Sequence, residues 1–214
     1  SNATTNPTAG SLGLINGIMV SDGNNSIINN TISDLSIANA NTAATYQAAV
    51  GGIVINTTSG AAQTVKGNTI YNLANTYSGF AGTVAGICYN GTTGSQISEN
   101  FINRLSANAT NTASIYGIKV LGGTATYSNN IINVGDNTPA TFYGIYENGT
   151  ANNSSSLLFN TVYIGGNPTA GSYPSYALYS NSGANIREIR NNIFANARSN
   201  NGATGTHYAS YFNY

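Results

Sequence analysis

Charge is scarce in this chain. Only 6% of its 214 residues are charged, six basic and six acidic, and the formal net charge is zero. Nucleic acid and anionic membrane surfaces are both recognised by a basic face, so neither is expected as a partner. The single cysteine, Cys88, excludes an internal disulfide. No apolar run approaches the roughly 18 residues that mark a bilayer-spanning helix, so membrane insertion is not expected. Ser1-Asn2-Ala3 reads as the remnant of a cleaved expression tag, and the lack of a leader therefore says nothing about location. What is abundant is asparagine, about 35 residues, with much Thr, Ser, Gly and Ala. Such a polar, weakly charged composition can mean disorder, but 41% apolar residues at regular spacing argue for a packed core in one sizeable domain.

That regularity is a nine-residue phrase that returns six times: 27–35, 65–73, 97–105, 127–135, 157–165 and 189–197. In each copy an apolar or aromatic residue lies three before an Asn, and Ile, Val or Phe lies two after it. The six are Asn30, Asn68, Asn100, Asn130, Asn160 and Asn192, spaced by 38, 32, 30, 30 and 32 residues, the mark of a stacked repeat. A second phrase precedes each: Gly17-Ile-Met-Val, Gly52-Ile-Val-Ile, Gly86-Ile-Cys-Tyr, Gly117-Ile-Lys-Val and Gly144-Ile-Tyr-Glu, with weaker copies at Ala177 and Ala209. Each repeat thus reads as three short strands bounded by turn residues, with an Asn corner between the second and third. Asn tolerates the left-handed backbone of a sharp bend, and its amide can bond the same amide one repeat away, so the six are expected to form an internal ladder.

The two phrases resemble the right-handed parallel β-helix of the pectate-lyase-like superfamily, over about residues 17–214. The resemblance implies an all-β solenoid of about six coils of ~32 residues plus a partial seventh; residues 1–3 read as a tag remnant and 4–16 as a lead-in or partial cap. It implies long loops after the third strand of each coil, and says little of activity, because such folds carry many functions. Leucine-rich repeats also carry an Asn with a later Leu or Ile, but their return segments are usually helical, and here those segments have no helical period. A β-propeller would need four strands in each repeat of roughly 40 residues.

Strand alternation assigns faces. With Lys119 outside, Tyr116, Ile118 and Val120 are expected inside and Gly117 outside. The column Tyr116, Tyr143, Tyr176, Tyr208 then becomes an interior aromatic ladder. Outside runs the column Met19, Val54, Cys88, Lys119, Tyr146, Tyr179, Tyr211. Beside a strip of glycines, this forms a shallow groove with a tyrosine wall. Lyases and hydrolases of similar appearance hold substrate on this face.

Chemistry is harder to find. Glycoside hydrolysis needs two positioned carboxylates, and a pectate lyase needs acidic calcium ligands and a basic residue. Asp22, Asp34, Glu99, Asp136, Glu147 and Glu188 fall at different positions of different repeats. If there is catalysis, as a polysaccharide lyase or glycoside hydrolase, Glu147 with Lys119 is the pair to suspect, although both read more simply as solvated charges at strand ends. Asp22 and Asp136 read as turn residues, His207 as a surface residue, and Cys88 as a filler under a loop. The 187–190 charge run reads as a solvated face. No metal or cofactor is expected. Tyr146, Tyr179 and Tyr211, flanked by Lys119 and Glu147, are the candidate glycan contacts, because tyrosine faces can stack on sugars while the hydroxyl stays wet. On this reading Tyr179→Ala abolishes binding at little cost in stability.

The chain is thus expected to be a non-catalytic module of a secreted or cell-surface bacterial protein, binding a polysaccharide or serving as a rigid, adhesive spacer. Tyr208–Tyr214 reads as the first strand of a further coil with no visible cap. The native protein is therefore expected to continue, and this piece to associate end to end.

Overall fold

The computed structural model describes residues 3–6, 13–42, 48–57, 60–92, 94–109, 112–149, 154–181 and 185–213, with only the backbone of 3–6. It is all β and has no helix among these residues. A short β1 (Ala3–Asn6) precedes the first coil, made of β2 (Ile15–Val20), β3 (Asn25–Ile28) and β4 (Thr31–Asn39). The second coil is β5 (Val50–Asn56), β6 (Gln63–Lys66) and β7 (Thr69–Asn75), and the third is β8 (Thr83–Asn90), β9 (Ser95–Ser98) and β10 (Phe101–Ala107). Then come β11 (Ser114–Gly122), β12 (Ala125–Ser128) and β13 (Ile131–Val134), followed by β14 (Thr141–Glu147), β15 (Ser155–Leu158) and β16 (Thr161–Ile164). The last full coil is β17 (Ser175–Ser180), β18 (Arg187–Arg190) and β19 (Ile193–Asn196), and β20 (His207–Phe212) opens another.

Like strands of successive coils pair in parallel, giving three sheets: β2-β5-β8-β11-β14-β17-β20, β3-β6-β9-β12-β15-β18 and β1-β4-β7-β10-β13-β16-β19. The result is a parallel β-solenoid of about six turns. Its interior is a stack of aliphatic side chains, among them Ile53, Ile87, Ile118 and Ile145 from the first sheet and Ile70, Ile102, Ile132 and Val162 from the third. At its far end β20 pairs with β17, and Ala209, Ser210 and Phe212 are exposed.

The six asparagines form the expected ladder. Each side-chain Nδ2 donates to the next coil's Asn Oδ1 at 2.9–3.0 Å, from Asn30 through to Asn192. The backbone N–H of each donates to the same oxygen at 2.8–3.1 Å. From Asn68 onward the second amide hydrogen goes to a backbone carbonyl of the preceding coil: Ile27, Val65, Ile97, Tyr127 and Leu157. A mid-ladder Asn such as Asn100 therefore satisfies both amide hydrogens and its oxygen in a dry interior, where an unpaired amide would be costly.

The backbone of the corner differs from the sequence reading. The left-handed residue is not the ladder Asn but the one before it: Asn29 (φ 57), Gly67 (φ 65), Glu99 (φ 59), Asn129 (φ 54), Phe159 (φ 57) and Asn191 (φ 56). The ladder Asn has to aim its amide along the stack, so its neighbour absorbs the bend. Four of those six neighbours are Asn or Gly, the residues that bear this conformation most cheaply.

The third sheet also changes shape along its length. In coils one to three its strands run seven to nine residues and kink at the left-handed residues Asp34 (φ 58), Asn72 (φ 55) and Arg104 (φ 52). From β13 onward they are four residues long, without the kink. β13 pairs with β10 only over Phe101–Asn103, so the surface steps down between coils three and four.

A tyrosine face on the first sheet

The face assignment of the first sheet requires a correction. The glycine column points inward, and the column of Tyr116 points outward. A Cβ on Gly117 would lie 2.4 Å from Ile132 Cγ2 and 2.6 Å from the Gly144 carbonyl oxygen, and one on Gly86 would meet Ile102 and the Gly117 oxygen as closely. Ala177, which continues the column, belongs to the interior core. The chain is drawn in at this glycine, so two consecutive residues, Gly117 and Ile118, face the core. Simple alternation counts one residue where the strand spends two, and so places every residue before the glycine on the wrong side.

Two tyrosine columns consequently share the outer face. One runs Tyr116, Tyr143, Tyr176, Tyr208, with successive ring centroids 4.7, 5.2 and 5.2 Å apart and planes within 12° of parallel. The other runs Tyr146, Tyr179, Tyr211, at 5.3 Å and within 14°. Between the columns the rings meet edge to face, with Tyr143 5.0 Å from Tyr146 and Tyr176 4.9 Å from Tyr179. Register sets these distances, since each ring rides on the coil below at the strand spacing. Tyr116 is 8% exposed, and the other six are half-buried. Ring faces inside each column are covered by neighbouring rings. The solvent-facing parts are ring edges and hydroxyls, and those of Tyr146, Tyr179 and Tyr211 have no hydrogen-bond partner among the described residues.

Toward the N-terminal coils the same two columns become small and aliphatic. Val54, Ala85 and Cys88 are fully buried there and pack with Ala48, which comes from the segment before β5, and with Tyr116. Cys88 is the covered filler that its position suggested, and burial pushes its thiol up to about 11 against the opposing charge of Lys119. Lys119 lies at the junction of the two halves. It is 7% exposed, with its ammonium 5.0 Å from the Tyr116 ring centroid, and burial lowers its pKa.

Glu147 does not join this face. It is 1% exposed and shares the inward column of Val120. Its Oε2 takes the Arg187 Nε–H at 2.6 Å and the Ser180 hydroxyl at 2.7 Å. The suspected partnership with Lys119 is absent, because the two sit on opposite faces of the sheet, and neither is solvated. The 187–190 run splits likewise: Arg187 turns inward to Glu147, while Arg190 and Glu188 pair at 2.6 Å in solvent. Nothing in the local sequence marked Arg187 as the partner, since the bond joins residues 40 apart.

No family model, curated protein or solved structure matches the chain. Its remaining candidates are local. Asp22 and Asp136 cap turns through the N–H groups of Gly23 and Thr138, both at 2.7 Å. His207 lies between the Ser175 hydroxyl and the Asn200 side chain at 2.9 and 3.1 Å, with its imidazole held below the ordinary value by burial and by the charge of Arg198. Among the described residues no three His, Cys, Asp or Glu side chains converge as a metal site would require.

The tyrosines set an alkaline limit. Burial, and after it the neighbouring phenols, raises the pKa of Tyr143, Tyr146 and Tyr176, and burial raises that of Tyr116. A group whose folded pKa is raised contributes stability that is complete below its unfolded value, near 10 for tyrosine, and is lost as pH rises through the folded value. Each phenol still protonated in the fold but ionised in the unfolded chain costs about 1.4 kcal/mol per pH unit. The melting temperature should therefore fall steeply above pH 10, with phenolate absorbance lagging until unfolding. Simultaneous titration of all 15 tyrosines near pH 10 in the folded protein would contradict the packing.

Proposed function

We propose that this chain is a non-catalytic module of a secreted or cell-surface bacterial protein, a rigid β-helix related to the pectate-lyase-like superfamily, whose tyrosine face binds neutral carbohydrate. One observation supports this above the others: seven tyrosines in two adjoining columns, six of them half-exposed, held rigid by one another. Phenol edges offer apolar contact to sugar C–H groups, and the free hydroxyls of Tyr146, Tyr179 and Tyr211 offer donors and acceptors on three successive coils. A rigid aromatic surface loses little conformational entropy on binding, which favours weak ligands met repeatedly along a polymer. No carboxylate lies in either column, which favours a neutral sugar and recognition over glycosidic cleavage.

The mode of contact is edge-on and through hydroxyls, because the ring faces are taken by neighbouring rings. That alters the choice of variant. Tyr179 touches four other rings, so Tyr179→Ala would lose stability as well as ligand, at about 0.5–1.5 kcal/mol for each aromatic pair. Tyr179→Phe keeps the rings and removes the hydroxyl. Glycan-array screening of the wild-type chain should find a neutral glycan, and Tyr179→Phe should bind it about tenfold more weakly at an unchanged melting temperature, the effect of one lost hydrogen bond. Equal binding by Tyr179→Phe and by a Tyr146→Phe/Tyr211→Phe double variant would remove the tyrosine face from the reading.

A further inference from the structure

Of the six basic residues in the chain, five are engaged. Lys66 pairs with Glu99 at 3.2 Å, Arg187 with Glu147 at 2.6 Å and Arg190 with Glu188 at 2.6 Å. Lys119 lies over the Tyr116 ring. Arg198 donates to the carbonyls of Asp136 and Thr138 at 2.6 and 2.7 Å. Arg104 is different: it is exposed, and among the described residues its side chain has no ion pair or hydrogen bond. It also sits at φ 52, at the left-handed kink that Asp34 and Asn72 occupy in the two preceding coils. Those two suit the left-handed backbone, and Asn72 donates to the Asp34 carboxylate at 3.0 Å. Arginine has no such ease there, so the fold carries a cation at a strained position with no intramolecular return.

Arg104 overlooks the step in the third sheet. β10 continues to Ala107, whereas β13 ends at Val134 and Gly135 (φ 106) turns the chain away. Two depressions, of about 530 and 350 Å³, meet at Arg104 and Gly135. The larger has walls from Tyr71 and Phe101, the latter 39% exposed, and amides from Asn103 and Asn133. The smaller is bordered by Asp136, whose Oδ1 is held by the Thr138 N–H. An anion is therefore favoured in the larger depression, on the side away from that carboxylate.

We propose that the larger depression is a binding site for an anionic saccharide. Its carboxylate or sulfate ester pairs with the Arg104 guanidinium, its ring rests against Phe101 and Tyr71, and its hydroxyls bond the amides of Asn103 and Asn133. The guanidinium fork matches either oxyanion, and the aromatic and amide walls suit a sugar better than a bare ion. The site lies on a different sheet from the tyrosine face and does not depend on it.

The test is an NMR titration of the isotope-labelled chain with glucuronate, glucose 6-sulfate and glucose. Glucuronate or glucose 6-sulfate should shift the Phe101, Asn103, Arg104 and Asn133 signals with at least tenfold higher affinity than glucose does, and the two arms tell carboxylate from sulfate. Arg104→Asn removes the cation while suiting the left-handed backbone, so it should lose at least tenfold in affinity at an equal or higher melting temperature. Phe101→Ser should weaken binding with the charge intact. Tyr179→Phe should leave these shifts unchanged, which separates this site from the tyrosine face. Equal affinity for glucose, undiminished binding by Arg104→Asn, or no shift with either anionic sugar would overturn the proposal.

Discussion

Replacing Asn100 by Leu should cost about 3 kcal/mol, from two Asn68 donors orphaned at roughly 1–3 kcal/mol each, less what the added apolar contact returns. Asn100 Oδ1 accepts both the backbone N–H and the Nδ2 of Asn68, and its own Nδ2 reaches the Val65 carbonyl and Asn130 Oδ1. Leucine is close in size but returns none of these bonds. The Asn68 N–H and one Asn68 amide hydrogen are then stranded where Asn68 is fully buried and Asn100 1% exposed. The same change at Asn30 should cost about 1 kcal/mol, because that end is half-open to water and a stranded group can be solvated. Urea denaturation of the two variants checks the gradient. Equal losses at Asn30 and Asn100 would mean that the ladder is decorative.

Glu147→Ala should be as damaging, about 3–5 kcal/mol, since breaking a buried pair leaves a charge without its counterion. The side chains of Glu147 and Arg187 are 1% and 6% exposed, so water cannot replace the lost carboxylate cheaply. The expected rescue is more informative. A Glu147→Leu/Arg187→Leu double variant should recover much of the loss, because an apolar pair of similar size avoids both desolvation penalties. If Glu147 instead served ligand binding, removing it would spare stability and the double variant would gain nothing. The denaturation midpoints of Glu147→Ala and of the double variant separate these outcomes.

Much of the architecture can be read from the residues alone. Asn three after a core residue and two before another, six times at near-constant spacing, fits a stacked coil and little else, and the ladder follows from amide chemistry. The doublets Asn29-Asn30, Gly67-Asn68, Asn129-Asn130 and Asn191-Asn192 even carry the left-handed neighbour, although alone they do not say which member bends. Facing was harder. A glycine where the backbone of the next coil comes within about 3 Å of any Cβ shifts the alternation, and the local pattern Tyr-Gly-Ile looks the same with or without that shift. The recurrence of glycine between Tyr and Ile was the available signal. Pairings such as Glu147 with Arg187 depend on where a corner loop returns in the next coil, and strand periodicity carries no such information. Arg104 was invisible for a similar reason: its freedom is known only once the other five cations have found partners.

Side-chain amide exchange tests the stacked-coil account most directly. In a stable-isotope-labelled sample, the Nδ2 hydrogens of Asn68, Asn100, Asn130 and Asn160 should exchange with solvent only on the timescale of global or subglobal opening. Each is bonded to the next Asn and to a carbonyl of the preceding coil. The amides of Asn24 and Asn137, exposed on turns, should exchange at once. Slow exchange at these four side chains, against fast exchange at the exposed turn asparagines, is the predicted result. Fast exchange at all four would contradict the ladder and the solenoid built on it.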